Sequence, residues 1–191
     1  MSVNTYIIWG ALIVLLVYVV MIYNNLVRLK HNVSQAWSNI DVLMKQRHDE
    51  LPKLVDTCKQ YMQYEKDVLE KVTQARAMVA RARESRDVDA LGAAETQLRL
   101  GLGNLFAVAE NYPELRANEQ FQHLQNRISQ LEAQIADRRE FYNDSVNANN
   151  IRIEQFPDTI VARTFNFGPR KLLEFKQGEL RDVNVKALFN S

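Results

Sequence analysis

A single cysteine, Cys58, stands in a chain of 191 residues, so no internal disulfide can form. It recurs at helix spacing with Val55, Tyr61 and Met62, where a thiol packs as a small, inert apolar side chain. Glycine (six) and proline (four) are scarce, and long stretches hold neither, which excludes a many-turned β sandwich and favours long helices. An excess of charge is also missing. The 24 basic and 23 acidic side chains leave a formal net charge of +1, so no bulk field gathers DNA or RNA and no nucleic-acid partner is expected. Charge of either sign is wholly absent from the first 23 residues, which divides the chain into an uncharged head and an ordinary charged remainder.

The head contains residues 6–23 (YIIWGALIVLLVYVVMIY), an uncharged run centred near Leu15. At about 1.5 Å per residue a helix of that length spans roughly 27 Å, close to the thickness of a hydrocarbon core. Tyr6 and Trp9 near one end and Tyr18 and Tyr23 near the other are placed as interfacial aromatics are. No Lys or Arg precedes the run, as a secretory signal would require, so an uncleaved single-pass transmembrane anchor is expected, with the bilayer as a partner. The nearest positive charges, Arg28 and Lys30, follow the span. By the positive-inside rule the bulk of the chain is expected to face the cytoplasm.

Beyond the head, apolar residues recur in steps of three and four: Val33, Trp37, Ile40, Leu43, then Leu51, Leu54, Cys58, Tyr61, then Val68, Val72, Ala75, Val79. The phase passes Pro52 without a slip. Pro52 is therefore read as a kink inside one helix over residues 24–84, roughly 90 Å long, with a break into two helices as the alternative. Residues 83–89 (RESRDVD) interrupt the pattern and offer Asp87 as an N-cap. A second helix follows on Leu91, Ala94, Leu98, Leu102, Leu105, Ala109 and Tyr112, with Gly92, Gly101 and Gly103 permitting close helix approach. Residues 111–118 (NYPELRAN) read as a turn or kink. A third helix runs on Phe121, Leu124, Ile128, Leu131, Ile135, Tyr142, Val146, Ile153 and Phe156, ending at Pro157. Residues 158–191 hold apolar clusters at 164–167, 172–175 and 183–189 among Gly168, Pro169 and Gly178, without helix periodicity, and are expected to pack as an extended tail or small cap.

Few constellations carry chemistry. His48, Asp49 and Glu50 are consecutive and so point about 100° apart on a helix, which keeps them from converging on one ion. His31 and His123 have no partner at metal-ligand spacing, and no metal or other cofactor is expected. Arg47, Glu65 and Arg139 fall at seam phase where an apolar residue belongs. A buried charge must be paired, so they line a polar groove between helices or, more simply, form ion pairs that fix helix register. Arg76, Arg81, Arg83 and Arg86 gather near a helix end, where cations complement the macrodipole; a docking site for phosphates or acidic partners is the alternative.

Taken together, these residues resemble the LemA family. The matching pattern is Tyr23-Asn24, Leu26-Val27, Val33, Ala36-Trp37 and Ile40-Asp41-Val42, then Lys45, Arg47, Asp49, Leu51-Pro52, Leu54-Val55, Lys59, Tyr61 and Glu65. It continues in Tyr112-Pro113 and Leu115 and closes with Arg139, Tyr142-Asn143, Val146, Ile153 and Phe156-Pro157. Gln46, Lys53, Gln60, Tyr64 and Asn149 depart from it, and Tyr64 replaces a common histidine. The resemblance implies a helical bundle on a bacterial membrane, with no established catalytic group and a role in assembly or scaffolding.

The expectation is thus an all-α chain: a transmembrane anchor (1–23), an elongated antiparallel bundle (24–157) and a short irregular tail (158–191). It is read as a non-enzymatic, self-assembling scaffold of the bacterial envelope, a homo-oligomer that engages other envelope proteins. The alternative is a partner-binding or sensor module acting through the arginine cluster or the tail.

Overall fold

The computed structural model describes residues 3–175, and helices carry nearly all of them. They are α1 (Val3–Lys59), α2 (Lys66–Ser85), α3 (Val88–Ala109), α4 (Pro113–Arg116), α5 (Glu119–Glu154) and α6 (Asp158–Thr164). Among the described residues there is no strand. The chain divides into two compact units, residues 3–43 with 134–172, and residues 44–133 with 173–175.

Pro52 lies inside α1 without ending it, as the unbroken apolar phase implied. The continuation of that helix to residue 84 is corrected. α1 stops at Lys59, and a turn over residues 60–65 precedes α2. This turn contains neither glycine nor proline and is closed by backbone bonds from Tyr61 and Met62 to the Cys58 carbonyl. The Met62 side chain is sunk in the core and pins the turn from within. The seam kept its period across residues 58–72 because Cys58 and Val72 are buried, and Tyr61 and Val68 half-buried, although the chain turns back between them. The long helix thus spans residues 3–59 rather than 24–84, about 86 Å at about 1.5 Å per residue, and the arginines of α2 lie on a separate helix after the turn.

The second unit is an antiparallel bundle of the C-terminal part of α1, α2, α3 and the first part of α5. His48 and Arg76 pair at equal distances either side of Met62, and Gly101 meets Val72 across the α2–α3 turn. The latter turn is built as expected. Arg86 adopts a left-handed conformation at the end of α2, and the Asp87 carboxylate accepts from the Asp89 and Ala90 amides at 3.1 Å, capping α3. The Pro113 segment forms α4, and Asn118 then accepts from the Phe121 amide to start α5. The core is the expected stripe: Leu51, Leu54 and Cys58, then Val72, Ala75 and Val79, then Leu91, Leu98 and Leu105, then Phe121, Leu124 and Ile128. Burial pushes the Cys58 thiol up to about 12, consistent with an inert packing role.

In the first unit α1 and α5 also run antiparallel. Trp37 packs edge-on against Tyr142, while Ile22 and Leu26, earlier on α1, meet Ile153 near the end of α5. The tail expectation is corrected at its start, because residues 158–164 are helical. A seven-residue helix is too short to display a period, and α6 is held instead by Val161 and Ala162 packing on Ile22 and Leu26. Residues 165–175, the remaining described part of the tail, form neither helix nor strand, in keeping with the expected lack of helix periodicity. Asn150 receives the Arg170 amide and donates to its carbonyl, both at 2.8 Å, and the Tyr142 hydroxyl donates to the Lys171 carbonyl. Leu173 and Phe175 are buried in the second unit, where Gly92 admits the tail: a Cβ there would lie 2.1 Å from the Glu174 carbonyl oxygen. Gly178 and the 183–189 cluster lie outside the described residues.

Candidate functional site

The most unusual feature of the second unit is a fully enclosed arginine. Arg47 on α1 is 1% exposed and reaches two acidic side chains, Glu95 on α3 (0% exposed) and Glu132 on α5 (20%), through separate guanidinium nitrogens. Arg99 closes the group, its Nε 3.6 Å from the second oxygen of Glu132, and its guanidinium lies 5.9 Å from the centre of the Phe175 ring. Two cations and two anions thus balance inside the bundle.

Burial opposes charge on each member, and the outcome depends on the number of opposite neighbours. For Arg47, desolvation is outweighed by Glu95 and Glu132, so its guanidinium is held charged above its ordinary value. For Glu95, desolvation outweighs the attraction of Arg47, with Glu132 adding repulsion, and its carboxyl is pushed up. One Glu95 oxygen and the Arg47 Nε have no hydrogen-bond partner. The arrangement joins three helices at one level and so fixes their register.

Sequence reasoning singled out Arg47 but missed both acids, although the same signal marked them. Glu95 lies four residues after Leu91 and three before Leu98, and Glu132 four after Ile128 and three before Ile135, so each sits at seam phase. The other flagged seam residues stand apart from this group. Glu65 precedes α2 and lies 3.5 Å from the Tyr112 hydroxyl, which donates to it. Arg139 is half-buried on α5 in the first unit.

The arginines of α2 do not act alike. Arg76 donates to the His48 carbonyl at 3.0 Å and to its Nε2 at 2.8 Å. Arginine has only donors, so the ring must be neutral with its proton on Nδ1. Burial, and then the Arg76 charge, lower the His48 pKa in agreement. Arg81 and Arg86 are exposed, and Arg83 is half-buried. Among the described residues no group of His, Cys, Asp and Glu gathers at metal-ligand spacing.

The first unit is open where the second is closed. Tyr6, Trp9, Leu15, Tyr18 and Tyr23, read from the sequence as a membrane span, all project from α1 with large exposed surfaces, and the most apolar 18-residue window of the helix is only 6% buried. α1 is therefore long and apolar enough to cross a membrane. Just past this stretch a cavity of about 290 Å³ is lined by Tyr23, Lys30, His31, Asn149, Phe165 and Arg170, with no acidic side chain. The Tyr23 ring meets Phe165 at 4.8 Å and Phe167 at 5.7 Å, both edge-on. Phe156, read as the last seam residue, is instead 81% exposed, because α5 ends two residues earlier and the chain turns into α6.

Residues 36–187 match the model of the LemA family. The chain belongs to the LemA family. It is 27% identical over 169 residues to Protein LemA of Metamycoplasma hominis, covering 87% of this chain and 75% of that relative. A shorter match, 38% identity over 56 residues, relates it to magnetosome proteins MamQ 1 and MamQ 2 of Paramagnetospirillum magneticum. That match covers 29% of this chain and 21% of each of those proteins. The family match spans Arg47, Glu95 and Glu132 but starts after residues 6–23, so the apolar run rests on its own physical character.

Proposed function

We propose that this LemA-family chain is a non-enzymatic, single-pass protein of the bacterial inner membrane that self-assembles and scaffolds other envelope proteins. The apolar stretch of α1 carries the reading. Elsewhere helix seams are buried within the chain, whereas this stretch exposes a continuous belt of Ile, Leu and Val that is costly in water and suited to lipid. The buried Arg47 group supports a structural role, since its charges face one another rather than a cleft. Self-assembly is favoured by the α1–α5 face of the first unit, where Phe141 and Val42 are exposed beside a groove of about 490 Å³ lined by Leu29, Gln35, Arg138 and Ala148. Arg28 and Lys30 favour a cytoplasmic bundle, which a reporter fused after Ser191 tests.

Light scattering of the whole chain in mild detergent is the test of assembly. A particle of several copies is expected, and a strictly monomeric species would refute self-assembly. The exposure of Arg81 and Arg86 favours a second reading, in which an acidic partner docks on the α2–α3 end or the tail. Arg81→Glu should then abolish partner recovery while leaving helix content unchanged, and undiminished recovery would discard that reading.

A further inference from the structure

The last turns of the apolar stretch of α1 are not free to face lipid all round. Ile22 and Leu26 form one buried cluster with Ile153, Val161 and Ala162, and Val19 and Phe167 pack against that cluster. Tyr23 lies against Phe165 and Phe167. A helix rises about 1.5 Å per residue, so Val19 sits roughly 6 Å inside the Tyr23 end of the run. An element that packs on Ile22 and against which Val19 lies therefore reaches the depth of the span's final turn.

That element is the α5–α6 corner, which exposes three large apolar side chains alongside Glu154 and Gln155. Phe156 is 81% exposed, Ile160 57% and Ile151 56%. Arg152 Nε lies 2.7 Å from the buried Asp158 carboxylate, an ion pair across the corner, while Arg163 is exposed on α6. Beside it lies the cavity lined by Lys30 and Arg170, whose cationic side chains suit anionic headgroups.

We propose that the α5–α6 corner is a foot set in the same bilayer as residues 6–23, with Phe156 and Ile160 inserted among the headgroups and upper acyl chains and Arg163 at the phosphate level. An amphipathic edge carrying exposed aromatic and aliphatic groups beside arginines is what the interfacial zone favours. The bundle is then held against the membrane by two attachments, the span and the foot, which restrict its tilt. The inference rests on the anchor reading of α1.

Depth measurement by nitroxide labelling tests it, using the whole chain in vesicles of phosphatidylethanolamine and phosphatidylglycerol. Single labels are placed at Leu15→Cys in the span, Ser38→Cys further along α1 and Phe156→Cys in the corner, with Ile160→Cys as an independent second corner site. Native Cys58 is buried and stays unlabelled. The Leu15 label should be accessible to oxygen and shielded from a water-soluble nickel complex, and the Ser38 label the reverse. Both corner labels should report a depth near the headgroups. A corner label as nickel-accessible as Ser38, with Leu15 still in lipid, would overturn the foot and leave the anchor standing. Corner labels shielded from both reagents and broadened by one another would show a second copy there and also overturn it. A nickel-accessible Leu15 would refute the anchor and the foot together.

Discussion

Removing the guanidinium of Arg47 leaves Glu95, with no exposed surface, facing Glu132 inside the bundle without its nearest cation. Deleting one partner of a buried pair costs about 3–5 kcal/mol, because the stranded charge loses its compensation. At roughly 2–4 °C per kcal/mol for a chain of this size, Arg47→Met should lower the melting temperature by roughly 6–20 °C. Replacing both partners, in Arg47→Met/Glu95→Met, removes the stranded charge. Glu132 keeps Arg99 and partial access to water, so the double variant should recover much of the loss, with a coupling of about 2–3 kcal/mol. Far-UV circular dichroism during thermal and urea unfolding of the whole chain in detergent measures each corner of the cycle. The pH dependence gives a second check. The Glu95 carboxyl is already pushed up by burial, and without Arg47 it is pushed further. An acid whose folded value exceeds its unfolded one binds more protons when folded. Stability therefore falls as pH rises from the ordinary carboxylate range through the raised value, and is flat outside that window. Arg47→Met should accordingly be least damaging at acidic pH, and the double variant should lose this dependence. Additive single effects, with coupling under about 0.5 kcal/mol, would falsify the claim that these two charges sustain each other.

Four further outcomes follow from single positions. Gly92→Ala places a Cβ against the Glu174 carbonyl and should free Leu173 and Phe175 from the second unit, seen as earlier proteolysis of the tail at unchanged helix content. Gly103→Ala, which meets nothing within 4 Å, should instead stabilise the chain by up to about 1 kcal/mol. Asp87→Ala removes the two capping bonds of α3 and should cost about 1 kcal/mol, read as a lower urea midpoint with unchanged slope. With its thiol pushed up to about 12, Cys58 should react with a disulfide reagent at pH 8 only as fast as the chain opens, and rapid native labelling would contradict its burial.

The stripes were legible because a buried helix face repeats every three or four residues, and Leu91, Leu98, Leu105, Ile128 and Val146 are all enclosed where that period placed them. The Asp87 cap was legible because a carboxylate before a helix has a local job that needs no tertiary partner. The reversal at residues 60–65 was not, since Gln60, Tyr61, Met62, Gln63 and Tyr64 offer none of the glycine or proline that usually marks a turn. Met62 holds it by burial, and burial is a property of the whole bundle. α6 failed to show for the related reason that its evidence is its contact with Ile22 and Leu26, residues far away in the chain.

Two positions break the pattern in opposite senses, and the contrast separates kinds of work. Arg47 is a charge where the stripe calls for an apolar residue, and it is buried with carboxylates from two other helices, so its work is internal. Phe156 is an apolar residue at the stripe's last beat, and it is exposed at a corner braced by Arg152 and Asp158. A core residue that merely missed its place would be expected on a frayed end, where a side chain could fold back at little cost. Phe156 is not on such an end, because Ile153 before it and Val161 and Ala162 after it are buried in one cluster with Ile22 and Leu26. The chain therefore keeps a large apolar surface exposed at the level where its apolar span ends, and a surface held out in that way needs a partner other than water.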